Sequence, residues 1–319
     1  MKRITIVATS YKSAKYFDLF FKHLTEINKT DEISVILIVN KPDKKEVEIS
    51  QYYKKNFSDL FDIIYLEKLE SIGESFNRAF KLSKTEYVTY IDVDDIRLPN
   101  SFHEQMNCLE HNKTFDFNYG DFILVENQGE TNGQLIQCPE FDESLFVRGS
   151  MVGPTHFYRH SIFEKIGYWD EQFRSGGDFE FQVRAAAAGI KFNKAKGTML
   201  YKTNEKFSTS AASNILQPIE RTVIELRYGI YDKIDYRYYD KAMKYRIHEI
   251  KGGDKWIPVS SIIPDYEKYI EERKYLLPIG KRNHFIKMLK QNLKLPLKMI
   301  LKPRKFYYDY FVRNRIIKT

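Results

Sequence analysis

An α/β fold with a mostly parallel sheet flanked by helices is what this chain predicts, and three observations predict it. Apolar strand-like runs alternate with amphipathic helix patterns through the first two-thirds of the 319 residues, the rhythm of βαβ units. Tyr87-Val88-Thr89-Tyr90-Ile91 is rich in β-branched and aromatic residues and reads as a strand buried on both faces. That strand runs into Asp92-Val93-Asp94-Asp95, and ligands in such sheets bind outside the carboxyl ends of the strands.

Strands are expected at residues 4–8, 35–39, 63–66, 87–91 and 117–125. Between the first two, Phe17, Phe20, Phe21 and Leu24 recur at helical spacing behind Ser13 as a cap. Residues 74–84 read as a short helix carrying Phe76 and Phe80. Pro99 suits the start of another, with Phe102, Met106 and Leu109 on its apolar face. Ser161-Ile162-Phe163-Glu164 has the capping-box pattern, opening a short helix that Gly167 closes. After Ser175-Gly176-Gly177, an alanine-rich helix runs to Gly189 with Asp178 and Glu180 in its first turn, where the macrodipole favours anions. Residues 215–250 look helical, Gly252-Gly253 and 258–264 irregular, and Pro296 and Pro303 argue against one long final helix.

Composition narrows the class. With 43% hydrophobic and 29% charged residues the chain is globular rather than disordered. Cys108 and Cys138 have neither metal nor redox spacing, which fits a reduced cytosolic protein. No signal peptide and no transmembrane run of about 18 apolar residues is expected. The net charge of +8 is concentrated at the end, where residues 281–319 hold twelve Lys or Arg against the single acid Asp309. The rest of the chain is mildly acidic. Leu, Phe and Tyr interleave with that basic tail, a pattern suited to an anionic membrane surface. Nucleic-acid binding, which would show steep salt dependence, is not expected.

Three carboxylates where a buried strand ends need a partner or a metal. Asp92 and Asp94 are two apart and share a face on a strand. Mg²⁺ is usually held by one or two carboxylates plus substrate phosphates, so this spacing suits a cation bridging a diphosphate.

Over roughly residues 4–210 the chain resembles the family 2 glycosyltransferases, inverting nucleotide-sugar enzymes of the GT-A fold. The motifs, in order, are Ile6-Val7-Ala8-Thr9-Ser10-Tyr11, Gly73-Glu74-Ser75-Phe76-Asn77-Arg78-Ala79, the passage through Asp92-Val93-Asp94-Asp95 to Pro99, Ile166-Gly167-Tyr168-Trp169-Asp170-Glu171, and Gly177-Asp178-Phe179-Glu180-Phe181-Gln182-Val183-Arg184. The resemblance implies that Asp94, with Asp92 or Asp95, holds Mn²⁺ or Mg²⁺. It implies that Thr9, Tyr11, Asn40, Asn77, Asp92 and Val93 line the site of a nucleotide-sugar donor, expected to be a UDP-sugar. Asp178 is implied as general base, with His156, Trp169 and Asp170 toward a glycan or lipid-linked acceptor. Arg184 either orients an anion or lies on a solvated helix face. A GT-A catalytic domain over 1–210 and a helical extension over 211–319, with its basic tail, would then sit peripherally at the inner face of the cytoplasmic membrane.

Three departures from the family pattern stand out. Ile38-Val39-Asn40-Lys41-Pro42-Asp43 replaces an Asp-Asp-Gly-Ser type sequence, and Gly177 replaces a Glu before Asp178. Tyr201-Lys202-Thr203-Asn204 stands where relatives often have Tyr-Arg-x-His, leaving Asn204 or Glu205 to substitute for a metal-binding His. The Gln-x-x-Arg-Trp signature of processive synthases is absent, so a single addition is expected. The competing readings are a nucleotidyltransferase on a similar sheet, for which no Gly-rich triphosphate loop is evident, and a non-catalytic binding protein.

Overall fold

The structure is a computed structural model that describes residues 1–28, 31–204 and 215–301, the last eight as backbone only. Nine strands form one mixed sheet: β1 Ile4–Ser10, β2 Ile33–Asn40, β3 Phe61–Leu66, β4 Tyr87–Tyr90, β5 Ile96–Arg97, β6 Phe117–Val125, β7 Gln134–Ile136, β8 Phe157–Arg159 and β9 Phe192–Thr203. Their order is β3-β2-β1-β4-β8-β6-β9-β5, with β7 paired to β6. The first four are parallel; β8 is antiparallel to both β4 and β6, and β6 runs parallel to β9. A GT-A type α/β architecture is therefore observed.

Side chains alternate across the sheet with the period of two that strands impose. Ile6, Ala8, Val35 and Leu37 pack against Phe17, Phe20 and Phe21 of α1 (Ala14–Ile27) on one face. Val7, Ile36, Ile38 and Val88 pack on the other against Phe76, Ala79 and Phe80 of α3 (Ile72–Leu82). Helix α4 (Ser101–His111) buries the expected Phe102, Met106 and Leu109. The short α5 (Glu143–Val147) and α6 (Ile162–Ile166) precede α7 (Gly177–Ala187).

Several local expectations need correction. Helix α2 (Lys44–Asn56) lies between β2 and β3, announced by an unread capping box of Asp43 with Glu46. Ser13 makes no side-chain cap; its backbone N–H donates instead to Glu46 Oε1 at 2.7 Å. Ser161 likewise makes no side-chain cap.

Residues 215–250 are only partly helical: α8 spans Leu216–Arg227 and α9 only Tyr239–Ala242. The Gly252-Gly253 region is the turn of a hairpin, β10 Glu249–Gly252 with β11 Lys255–Pro258. After α10 (Tyr266–Glu271), α11 runs unbroken over Leu276–Leu301, past Pro296; Pro303 lies outside the described residues. The C-terminal part packs onto α7 through Val223, Ile224, Tyr228 and Ile230 against Phe173, Phe179 and Val183. Among the described residues, no helix is long and apolar enough to cross a membrane.

Candidate functional site

Strand β4 is wholly buried between β1 and β8, and its exit is pinned by Ile91 N–H donating to Val7 O at 3.0 Å. The chain then turns, with Asp95 N–H on Asp92 O at 3.0 Å. The end of β9 is stitched onto this turn. Asp95 is 2% exposed; its Oδ1 accepts the Thr203 N–H at 2.9 Å and its Oδ2 accepts Lys202 Nζ at 3.1 Å. Thr203 Oγ1 donates to the Asp94 carbonyl at 2.5 Å. Lys202 Nζ also lies 2.7 Å from Asp92 Oδ2, and the Asp92 side chain is 43% exposed. Burial pulls the Lys202 ammonium down, but Asp92, Asp95 and Asp94 together raise it well above the usual lysine range.

Asp178 enters this group from α7. Burial is the main cause that pushes its carboxyl up to about 6; Asp92's like charge adds to it, while the Phe179 N–H at 2.7 Å and Lys202 oppose it. A base near pH 6 is ionised at neutral pH yet still basic enough to accept a proton. The buried hydroxyls of Tyr90 and Tyr158, raised by burial, both feel Asp178's charge. Asp92, Lys202 and Asp178 thus form one electrostatic unit at the carboxyl end of β4, although Asp92 and Asp178 are far apart in sequence.

The turn before Asp178 is held from the C-terminal region. Buried Glu220 of α8 accepts the N–H groups of Arg174 at 2.9 Å and of Ser175 and Gly176 at 2.8 Å. A Cβ on Gly177 would lie 3.3 Å from the Trp169 ring, a tight contact to which the ring would have to yield by a few tenths of an ångström. Behind it, Glu180 accepts from Arg184, Arg227 and Tyr228, while Arg227 also reaches Asp170 Oδ2 at 2.9 Å. All four charged groups of this network are fully buried.

Other expected site residues fall on both sides of the surface. Tyr11 is 44% exposed and Thr9 half-buried. Asn40 is buried, donating to Thr9 Oγ1 and Ser75 Oγ and accepting from the Glu70 N–H, so its amide is spent joining β1, β2 and α3. Asn77 is buried as a clamp on the 169–171 loop, bonded to Trp169 N and O and to Glu171 Oε1. The Val93 side chain is in the core and its carbonyl accepts from Gln128. These three side chains are buried and each is engaged within the protein.

The residues expected toward the acceptor are buried as well. His156 is 1% exposed, its Nδ1 is 2.8 Å from Tyr158 OH, and burial lowers it to about 3. Trp169 packs among Phe76, Phe80 and Tyr90. Asp170 is committed to Arg227. Arg184 lies on no solvated face: it is buried, pairs with Glu180 and donates to the carbonyls of Ile166 and Tyr168. Sequence reading passed over Glu46, Glu220 and Arg227. The first had its capping-box pattern as a signal; the other two had none, because their partners are distant in sequence.

Residues 5–167 match the family described as Glycosyl transferase family 2. The chain belongs to glycosyltransferase family 2. An uncharacterized glycosyltransferase of Methanocaldococcus jannaschii is 24% identical over 194 residues, 59% of this chain and 66% of that protein. One of Haemophilus influenzae is 24% identical over 185 residues, 57% and 61% of the two chains. The match thus spans less than two-thirds of these relatives.

Among solved structures, this family 2 chain is similar in fold to S. aureus TarS 1-349 in complex with UDP-GlcNAc. The TM-score is 0.58 at 17% identity, covering 75% of this chain and 69% of that one. The mannosyltransferase PcManGT from Pyrobaculum calidifontis, in complex with GDP-Man and Mn²⁺, gives 0.53 at 13% identity, covering 96% and 82%.

The turn offers carboxylate oxygens, the donor type that hard divalent cations take. Among the described residues no three His, Cys, Asp or Glu side chains converge as a metal site. Asp95 is turned inward with both oxygens bonded; Asp92, which also bears Lys202, and Asp94 are the partly exposed carboxylates of the turn that would meet a cation. Two hard oxygen donors completed by water and phosphate oxygens match the way Mg²⁺ is usually bound. Glu205, a candidate further ligand, lies outside the described residues.

Proposed function

We propose that this family 2 member is an inverting glycosyltransferase that moves one sugar from a nucleotide-diphosphate donor, a UDP-sugar by preference, to a glycan or lipid-linked glycan. The observation that carries the reading is the meeting of Asp178 with the Asp92–Lys202 pair at the carboxyl end of β4. Mn²⁺ or Mg²⁺ held by Asp94 and Asp92 would neutralise charge growing on the diphosphate. Thr9 and Tyr11, at the end of β1, are the residues offered to the nucleoside.

Asp178 supplies the other half of the displacement. Its Oδ1 is oriented by the Phe179 N–H, and Oδ2 takes the proton of the acceptor hydroxyl. The acceptor oxygen, losing its proton to Asp178, forms its bond to the anomeric carbon as the carbon–oxygen bond to the diphosphate breaks, the electron pair leaving with the diphosphate. A single displacement inverts the centre, much as in inverting glycosidases.

The acceptor would be met at the inner face of the cytoplasmic membrane. What supports this is α11, where Phe285, Met288, Leu289 and Leu293 are exposed at helical spacing beside Lys281, Arg282, Lys287 and Lys290. The reading as a whole is tested by a donor screen with Mn²⁺ that measures nucleoside diphosphate release by the wild type, Asp94→Ala and Asp178→Asn. Undiminished acceptor-dependent turnover by Asp178→Asn would refute the base assignment.

A further inference from the structure

Lys202 brings a positive charge onto two of the carboxylates of the turn. Its ammonium, with three donors, lies 2.7 Å from Asp92 and 3.1 Å from Asp95. It is held there by the backbone on its C-terminal side, since Thr203 bonds both to the Asp95 carboxylate and to the Asp94 carbonyl. A second cation stands behind the turn: buried Arg97, whose Nε and Nη1 have no hydrogen-bond partner; burial lowers it to about 9, and Asp95 opposes that shift. Three carboxylates thus face two built-in positive charges, one of them touching Asp92.

We propose that Lys202 is the resident counter-ion of this turn and sets its affinity for a divalent cation. The cation binds weakly alone, because it must share Asp92 with the ammonium, and tightly only together with a nucleoside diphosphate. The phosphate oxygens add ligands for the cation and accept hydrogen bonds from Lys202. Like charges a few ångströms apart in a partly buried site repel strongly enough that replacing the ammonium by a neutral side chain should tighten binding of the cation alone by about tenfold or more. The same replacement removes a donor from the diphosphate, so the gain conferred by the nucleotide should shrink. Lys202 is in this sense a determinant of binding order. The inference rests on the reading of Asp92 and Asp94 as the cation's carboxylates.

The test measures Mn²⁺ binding to the full chain by electron paramagnetic resonance, without nucleotide and with UDP. Wild type, Lys202→Met, Lys202→Arg and Asp94→Ala are compared. Expected are weak binding of Mn²⁺ alone by wild type and Lys202→Arg, strong enhancement by UDP, and tighter binding of Mn²⁺ alone by Lys202→Met with a smaller UDP effect. Equal Mn²⁺ affinity of Lys202→Met and wild type, while Asp94→Ala loses binding, overturns the role of Lys202 and leaves the site reading intact. Unchanged binding by Asp94→Ala overturns both. Should Lys202→Met fail to fold, wild type alone decides: tight Mn²⁺ binding without UDP refutes the proposal.

Discussion

The carboxylate of Glu220 accepts the backbone N–H of Gly176 at 2.8 Å, so a side chain 44 residues further on holds the turn that leads into the helix carrying Asp178. The same carboxylate takes the N–H groups of Arg174 and Ser175, satisfying successive donors of the turn that leads into the helix. A buried N–H left without a partner costs about 1–3 kcal/mol. Glu220→Ala is therefore expected to lower the melting temperature clearly. A displacement of about 1 Å at a reacting group can cost about a hundredfold in rate. Steady-state kinetics should show kcat down by that order with the donor KM little changed, and Glu220→Gln should recover part of the loss.

Asp178 gives the protein a pH dependence of defined sign. Its carboxyl is raised from the ordinary aspartate value to about 6, so between roughly pH 4 and 6 the folded state holds a proton that the unfolded chain has released. Its stabilising contribution is full below that window and is lost as pH rises through about 6. Turnover follows the opposite course, rising through about 6 as the base ionises. Asp178→Asn should therefore abolish acceptor-dependent turnover while raising thermal stability at pH 7.5. A scan showing the variant less stable than wild type at that pH would contradict the burial argument.

How much was legible beforehand depends on the range of the interactions. Phe17, Phe20, Phe21 and Leu24 announced their helix because the burying surface has a local period, and all four are buried. The carboxylates at the end of β4 were legible because a buried strand rarely ends in three acids. Asn77, Trp169 and Asp170 stood out because their motifs are local, but the bonds they make, among themselves and with Glu171 and Arg227, reach up to 94 residues and left no local signal. Residue type alone cannot separate a polar side chain that binds substrate from one that ties two loops together. The hairpin at Gly252-Gly253 was hidden for a related reason: Glu171 supplies support, accepting the Gly253 N–H and donating its own backbone N–H to Lys251 O.

The buried network around Arg227 should tolerate no single neutral replacement. Arg227 bridges Asp170 at 2.9 Å and Glu180 at 3.3 Å, and donates to the carbonyls of Arg246, Ile247 and Glu249. Removing one partner of a buried ion pair strands the other's charge and costs about 3–5 kcal/mol. Arg227→Met is expected to unfold at several degrees lower temperature in calorimetry. Asp170→Asn paired with Arg227→Met should lose less than the sum of the two single changes, because the pair shares one interaction.

The exposed face of α11 yields the last expectation. The helix is anchored at its start, where Leu277 O accepts Tyr236 OH at 2.6 Å; a chain that stops at residue 280 keeps that bond while losing Lys281 and His284 from the Tyr236 ring. Beyond that point Phe285, Met288, Leu289 and Leu293 are exposed at a spacing that places them along one side of a helix, with lysines around them. A helix of this kind buries its apolar side shallowly in the headgroup region, drawn there by anionic lipid. Flotation with vesicles rich in phosphatidylserine should recover the full chain and not the 1–280 form. Recovery should fall as salt rises, since screening shortens the reach of surface charge. Phe285→Ser with Leu289→Ser should weaken flotation while leaving the salt response, which separates apolar insertion from charge attraction alone. Equal recovery of the full and shortened chains would rule out this surface as the membrane contact.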